Sequence, residues 1–372
     1  MDIKCRRRLL VWSMMCEGSQ RVLKATHLSQ SLTIPPSFQI TSTSPFRKSI
    51  NHSVKMSGVE LVFGGATWTS ATDFEGREKQ KEGLATITAA GIKTIDSAVN
   101  YGDSEEVLGI LGAAKTHAID SKYPGGFGPE PSTKEDIIAT AERGLEKAKV
   151  DSFDVYYIHA PDRRVPLEIQ IEAINTLYES GKIKRFGLSN FLPSEIEEVI
   201  RIAKENNWVV PSVFQGNYSA VARHAEMRVF PILRQHGIQF YAYSPIAGGF
   251  LTKTVDELLK APGRWDPSTF LGNLYHKLYN KPSMLEGLRL WESISIDTGI
   301  PKVELAYRWI VYNSGLKREY GDKVVFGSRT LQQLRETLAA VEKGPLSDEV
   351  VERIEEVWRL VEKDSPLDNY NQ

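Results

Sequence analysis

The strongest constraint on this 372-residue chain is a rhythm in its apolar residues. From Val59 onward, short apolar runs alternate with longer segments of helical period. The runs predict strands at Glu60–Phe63, Lys93–Asp96, Ala118–Lys122, Asp154–His159, Lys184–Ser189, Ser212–Gln215, Gln239–Tyr243 and Lys323–Gly327. Between the third and fourth, Ser132–Lys149 opens with Ser132 and Glu135 at capping-box spacing. Ile137, Ile138, Ala141, Leu145 and Ala148 then follow a 3.6-residue period. Further helices are expected over Glu168–Glu179, stopping at Gly181, and over Ser194–Glu205. Strands that alternate with helices form a parallel sheet. Eight of them point to an α/β fold closed as a (β/α)8 TIM barrel, here with a long loop after the seventh strand and a C-terminal helix. A doubly wound open sheet would need G-x-G-x-x-G after its first strand to hold a dinucleotide. This chain has Gly64-Gly65-Ala66 there, and Gly125, Gly126 and Gly128 lack a suitable acidic ribose ligand. The barrel is expected to occupy residues 56–372.

Residues 1–55 read differently. They carry Arg6, Arg7, Arg8, Arg21 and Arg47, but only Asp2 and Glu17 as acids, and Pro35, Pro36 and Pro45 interrupt any helix. Arg-rich, Ser-rich, acid-poor composition fits an organellar transit peptide, mitochondrial in that case; the alternatives for a cytoplasmic protein are a disordered tail or a true start at Met56. Over the whole chain the balance of 46 basic and 47 acidic residues leaves no electrostatic footprint for nucleic acid or an anionic membrane. No run approaches the roughly 18 apolar residues of a membrane span. The only cysteines, Cys5 and Cys16, lie in the extension, and the seven histidines show no metal-binding spacing, so no metal is expected. The implied partner is a small-molecule substrate, with the chain acting as a monomer or homodimer.

In such a barrel, chemistry sits at the C-terminal ends of the strands. Read in order, those ends supply Asp96 with Tyr101 five residues on, then Lys122, His159, Ser189 with Asn190, Gln215, Tyr243 with Ser244, and Gly327-Ser328-Arg329. Singly, each is as well explained by a strand-end cap, a solvated charge or a hydrogen-bonded core residue. Together they suit carbonyl reduction, which needs a hydride at carbon and a proton at oxygen. A tyrosine hydroxyl, with an ordinary pKa of about 10, is protonated at neutral pH and able to donate. Lys122 beside it is expected to lower that pKa, Asp96 to hold Lys122, and His159 to hydrogen-bond the carbonyl oxygen.

The carrying segments are Thr94-Ile95-Asp96-Ser97-Ala98-Val99-Asn100-Tyr101-Gly102, Ile158-His159-Ala160-Pro161-Asp162, Gly181 to Phe191, and Tyr241-Ala242-Tyr243-Ser244-Pro245. In these the chain resembles the aldo-keto reductase superfamily across residues 58–345, most closely the aflatoxin-aldehyde reductase subgroup. The resemblance implies a catalytic tetrad of Asp96, Tyr101, Lys122 and His159. It implies NADPH or NADP+ as cofactor, with Ser189, Asn190 and Gln215 on the nicotinamide carboxamide and Tyr243 stacked on its ring, next to Ser244. It also implies that Gly327 through Gln333, with Ser328 and Arg329, bind the adenosine 2′-phosphate. Two positions depart from the pattern: Thr337 replaces an asparagine that contacts adenine, and Thr269 replaces an arginine that reads a substrate carboxylate, a role left to Arg264. Trp68, Phe191, Tyr218, Trp265, Phe270 and Tyr275 are expected to line the substrate pocket, or equally to be core. The same fold and cofactor site also occur in non-catalytic potassium-channel β subunits, which is the alternative reading. A barrel hosting unrelated chemistry is the third.

Overall fold

The computed structural model describes residues 58–70, 74–260 and 263–371, without the side chain of Arg264. The N-terminal extension and the role suggested for Arg264 lie outside the described residues. Eight parallel strands close into a barrel in chain order. They are β1 (Glu60–Gly64), β2 (Thr94–Asp96), β3 (Ala118–Tyr123), β4 (Phe153–Ile158), β5 (Ile183–Ser189), β6 (Pro211–Asn217), β7 (Gln239–Tyr243) and β8 (Lys323–Phe326). β8 returns to β1 in register from Glu60–Lys323 to Phe63–Phe326.

The crossovers are α1 (Arg77–Ala89), α2 (Ser104–Leu111), α3 (Lys134–Ala148), α4 (Leu167–Glu179), α5 (Pro193–Glu205), α6 (His224–Arg228) and α7 (Phe230–His236). The long segment after β7 holds α8 (Val255–Leu259), α9 (Phe270–Tyr279), α10 (Pro282–Thr298) and α11 (Lys302–Arg308). α12 (Leu331–Glu342) follows β8, and α13 (Asp348–Val361) precedes a short tail. One local expectation fails. The cap of α3 is Thr133, whose hydroxyl accepts from Asp136 N at 3.1 Å, not Ser132. Ser132 instead gives both its backbone N–H and its hydroxyl to Asp162 Oδ2, each at 2.8 Å. Thus Asp162, in the His-Ala-Pro-Asp segment, ties the β4 exit to the start of α3.

Two apolar layers hold the barrel. Val62, Val155, Tyr157, Val213, Tyr241 and Val325 fill its interior. Phe63, Ile95, Phe186, Phe240 and their neighbours form the shell between strands and helices. Val62 and Phe63 are adjacent in β1 yet belong to different layers, as the two-residue period of a strand requires. The loop after β7 uses Ala247-Gly248-Gly249 to turn sharply, with Gly248 at φ +65°. A Cβ on Gly248 would lie 2.3 Å from the Tyr275 ring, so only glycine lets α9 fold down over the barrel mouth.

Candidate active site

Register brings the first pair together. Asp96 sits opposite Asp120 in β3. Lys122, two residues beyond Asp120, therefore reaches the same interior face one step higher. Its ammonium donates to Asp96 Oδ2 at 2.6 Å and to Ser97 O at 2.7 Å. The two side chains are 0% and 3% exposed. Gln215 Nε2 donates to the other Asp96 oxygen at 2.8 Å. Burial alone would lower the Lys122 pKa, but the Asp96 charge and hydrogen bond outweigh it and hold the ammonium above its ordinary value.

Tyr101 follows β2 through a tight turn closed by Tyr101 N to Ala98 O at 3.0 Å. Lys122 Nζ lies 4.9 Å from its ring centroid. As expected, the Lys122 charge pulls the Tyr101 pKa down, but burial is the larger influence and leaves it above its ordinary value. The hydroxyl is accordingly held protonated.

His159 sits just past β4, edge-on to the Tyr101 ring at 5.7 Å. Its Nδ1–H donates to Asn100 Oδ1 at 3.0 Å, since an amide oxygen only accepts. Burial first, and the Lys122 charge second, push the imidazole pKa well below its ordinary value. The ring is therefore neutral.

The residues implied for the nicotinamide end also converge. Asn190 Nδ2 donates to His159 O at 2.8 Å, and Asn190 Oδ1 accepts from Tyr243 Oη at 2.7 Å. Asn190 Nδ2 also reaches Ser189 Oγ at 3.1 Å. Both amide atoms of Asn190 are thus committed within the protein, and Gln215 has given one of its two N–H groups to Asp96. Ser189 Oγ–H, Gln215 Oε1 and the second Gln215 N–H can turn toward a carboxamide. Asn190 and Ser244, at the ends of β5 and β7, both adopt left-handed backbone, at φ +60° and +58°. Such strain, of order 1–3 kcal/mol per residue, concentrates at functional sites.

At the end of β8, Ser328 Oγ is buried without a partner in the protein, while Gly327 and Arg329 are exposed. Gln333 folds back so that its Oε1 accepts from Arg329 N at 3.0 Å. Glu75 Oε2 accepts from Leu331 N at 3.4 Å, where the first turn of α12 offers backbone donors.

The C-terminal tail contributes groups to which the sequence reading gave no role. Asn371 Nδ2 donates to Asn190 O at 2.9 Å, and Asn369 N donates to Tyr243 Oη at 3.2 Å. Tyr370 packs edge-on against Phe127 at 5.0 Å, and Phe127 against His159 at 5.1 Å. A Cβ on Gly126 would lie 2.1 Å from Tyr370 Oη, so this close approach requires glycine.

A profile of the aldo/keto reductase family matches residues 60–359. The chain belongs to that family. It is 34% identical to an oxidoreductase, sirO, of Leptosphaeria maculans over 82% of this chain and 95% of that protein. It is 35% identical to human aldo-keto reductase family 7 member A3, over 78% and 93% respectively. It is also 36% identical to mouse aflatoxin B1 aldehyde reductase member 2, over 74% and 79%.

Within this aldo/keto reductase the aromatic pocket expectations divide. Trp68 is wholly buried against Phe63 and Phe74 and packs close to Gly83 of α1. Phe191 is buried in the outer shell. Tyr218 packs on Phe230, Phe240 and Trp309 and donates to Glu226. Phe270 is 81% exposed. Trp265 stacks on Tyr275 and donates to Gly248 O at 3.2 Å, bracing the loop over the mouth. Thr269 caps α9, its hydroxyl accepting from Gly272 N at 3.0 Å. Thr337 is buried beside the Tyr307 hydroxyl. Among the described residues, no cluster of His, Cys, Asp or Glu suits a metal ion, and no helix is long and apolar enough to cross a membrane.

Proposed function

We propose that this aldo/keto reductase reduces aldehydes or reactive ketones to alcohols with NADPH, Tyr101 supplying the proton. The observation that carries the reading is the buried Lys122–Asp96 pair set against the Tyr101 ring at the barrel mouth. An ion pair taken out of water is expensive to build, and here it faces the Tyr101 phenol, which burial keeps protonated.

The residues present suit a nicotinamide dinucleotide. Ser328 Oγ is a buried polar atom without a protein partner, next to the N-terminus of a helix, where phosphate groups bind. Ser189, Gln215 and Tyr243 would hold the nicotinamide end, and Gly327 through Gln333 the adenosine phosphate, with Arg329 opposite its charge. When bound, the cofactor supplies a hydride. The chain's own residues do the rest. The mouth directs the carbonyl oxygen at Tyr101 Oη. As the carbonyl carbon gains its new C–H bond, the C=O π pair moves onto oxygen, and that oxygen takes the Tyr101 proton. The phenolate left behind faces the Lys122 ammonium, which stabilises it, and is reprotonated from solvent. Asp96 keeps Lys122 charged and aimed, and Gln215 fixes Asp96.

The test is Tyr101→Phe. The ring stays, the proton goes, and kcat with 4-nitrobenzaldehyde is expected to fall about 10²–10⁴-fold. NADPH binding, read by fluorescence quenching, is expected to hold. A variant within a few-fold of the wild-type kcat would overturn the assignment.

A further inference from the structure

β6 runs two residues beyond Gln215, to Asn217. Gln215 faces the interior, because it holds Asp96. By the alternation of a strand, Asn217 faces the same way, one step nearer the mouth. Gly216 between them faces outward, since a Cβ there would strike Phe240 at 2.7 Å. Asn217 also pairs in register with Tyr243, another mouth residue. Its side chain is 1% exposed, and neither its Oδ1 nor its Nδ2 makes a hydrogen bond within the protein. The Tyr279 hydroxyl of α9 interacts with it, enough to offset part of the rise that burial gives the Tyr279 pKa, but short of hydrogen-bond geometry.

A buried carboxamide with both ends unpaired is rare in folded proteins and costs stability. At a strand end inside a barrel mouth, the group that can repay that cost is on a bound ligand. Accordingly, we propose that Asn217 is a specificity-determining residue that hydrogen-bonds a neutral hydroxyl on the carbonyl substrate, near the reacting carbon. This rests on the reductase reading. The chemistry of the two unpaired atoms selects the partner. A hydroxyl accepts from Nδ2–H and donates to Oδ1 together. A carboxylate only accepts, which leaves Oδ1 unpaired, and a hydrocarbon satisfies neither. The preferred class is therefore hydroxy-aldehydes and hydroxy-ketones, ahead of simple alkanals.

The experiment compares kcat/KM for 2-hydroxypropanal and propanal, with NADPH, in the full chain and in Asn217→Leu and Asn217→Thr. NADPH affinity is measured alongside by fluorescence quenching, and folding by thermal melts. The wild type is expected to favour 2-hydroxypropanal about tenfold, the order of one or two neutral hydrogen bonds. Leucine, close in volume, is expected to bring the ratio near one without weakening NADPH or lowering the melting temperature, because it removes an unpaired amide. Threonine, which keeps a hydroxyl, is expected to retain part of the preference. A ratio unchanged in Asn217→Leu would overturn the proposal while leaving the reductase reading intact. So would a tenfold loss of NADPH affinity at constant ratio, which would assign the amide to the cofactor. Failure of the wild type to reduce either aldehyde would overturn both.

Discussion

Replacing Lys122 by methionine separates what the buried ion pair does for the fold from what it does for chemistry. Methionine nearly matches the length of the lysine stem, so little volume is lost. What disappears are two charge-assisted hydrogen bonds, at 2.6 and 2.7 Å. What remains is the buried Asp96 carboxylate, with Gln215 as its side-chain partner. Removing one member of a buried pair costs about 3–5 kcal/mol, mostly from the charge left behind. At about 2 °C per kcal/mol for a domain of this size, the melting temperature is expected to drop by roughly 6–10 °C. The double variant Asp96→Asn/Lys122→Met leaves no charge to strand, and removal of both partners is often close to neutral. Its stability is expected to return to within about 1–2 kcal/mol of wild type. Activity is expected not to return, because the phenolate formed at Tyr101 then faces no ammonium in either variant. Urea titrations give the stabilities, and kcat with 4-nitrobenzaldehyde gives the activities. A single variant as stable as wild type would refute the uncompensated-charge argument. A double variant that recovers kcat would refute the role of Lys122 in proton donation.

Two further outcomes follow from other parts of the molecule. NADPH is expected to bind more tightly than NADH, and Arg329→Ala to erode the difference by the roughly 1.5–3 kcal/mol of a charged hydrogen bond; equal affinities in titrations of the wild type would refute the phosphate assignment of Gly327–Gln333. Asp120, wholly buried in the barrel interior, has its carboxyl pKa pushed well above the ordinary value by burial and by Asp96 and Asp154. A folded pKa raised above the unfolded value of about 3.9 means that its stabilising contribution is complete below that pH and is lost as pH rises toward the folded value, at up to about 1.4 kcal/mol per unit. Asp120→Asn keeps an acceptor for Val155 N, which Asp120 Oδ1 now meets at 3.0 Å, and cannot ionise. Its melting temperature relative to wild type is therefore expected to rise as pH increases above about 4, and a difference that stays constant with pH would refute the argument.

The barrel was legible because each strand states its own face. A run such as Val155-Tyr156-Tyr157-Ile158, buried on both sides, has few places to go except a parallel sheet covered by helices. All eight strands lie where the apolar runs stand, with ends shifted by no more than two residues. The shifts come from pairing across strands. β6 passes Gln215 because Gly216 and Asn217 find partners in Ala242 and Tyr243. The misplaced cap of α3 has the same origin. Ser132 and Thr133 are chemically equivalent as caps, and the choice is made by Asp162, 30 residues away, which takes the Ser132 hydroxyl.

The site divides along a different line. Asp96, Lys122 and Gln215 could be placed from sequence because a charge or amide in a strand has a wrong face, and putting it there strands it against apolar side chains at a cost of several kcal/mol. Their convergence on one interior spot was therefore nearly forced once the strands were. An aromatic ring suffers no such penalty on either side of a strand end. Trp68 and Tyr218 satisfy the hydrophobic effect equally well in the outer shell, and that is where they lie. Two rings beside His159 that had no role in the sequence reading, Phe127 and Tyr370, come from a loop and a tail 243 positions apart in the sequence, joined through the bare backbone of Gly126. The local signal for that approach was a glycine pair after the third strand, Gly125-Gly126, which the sequence had offered as a failed dinucleotide motif. Asn217 belongs with the polar group, yet it escaped notice because its partner is not in the chain. A residue that completes its hydrogen bonds only with a ligand leaves no complementary residue in the sequence to find it by.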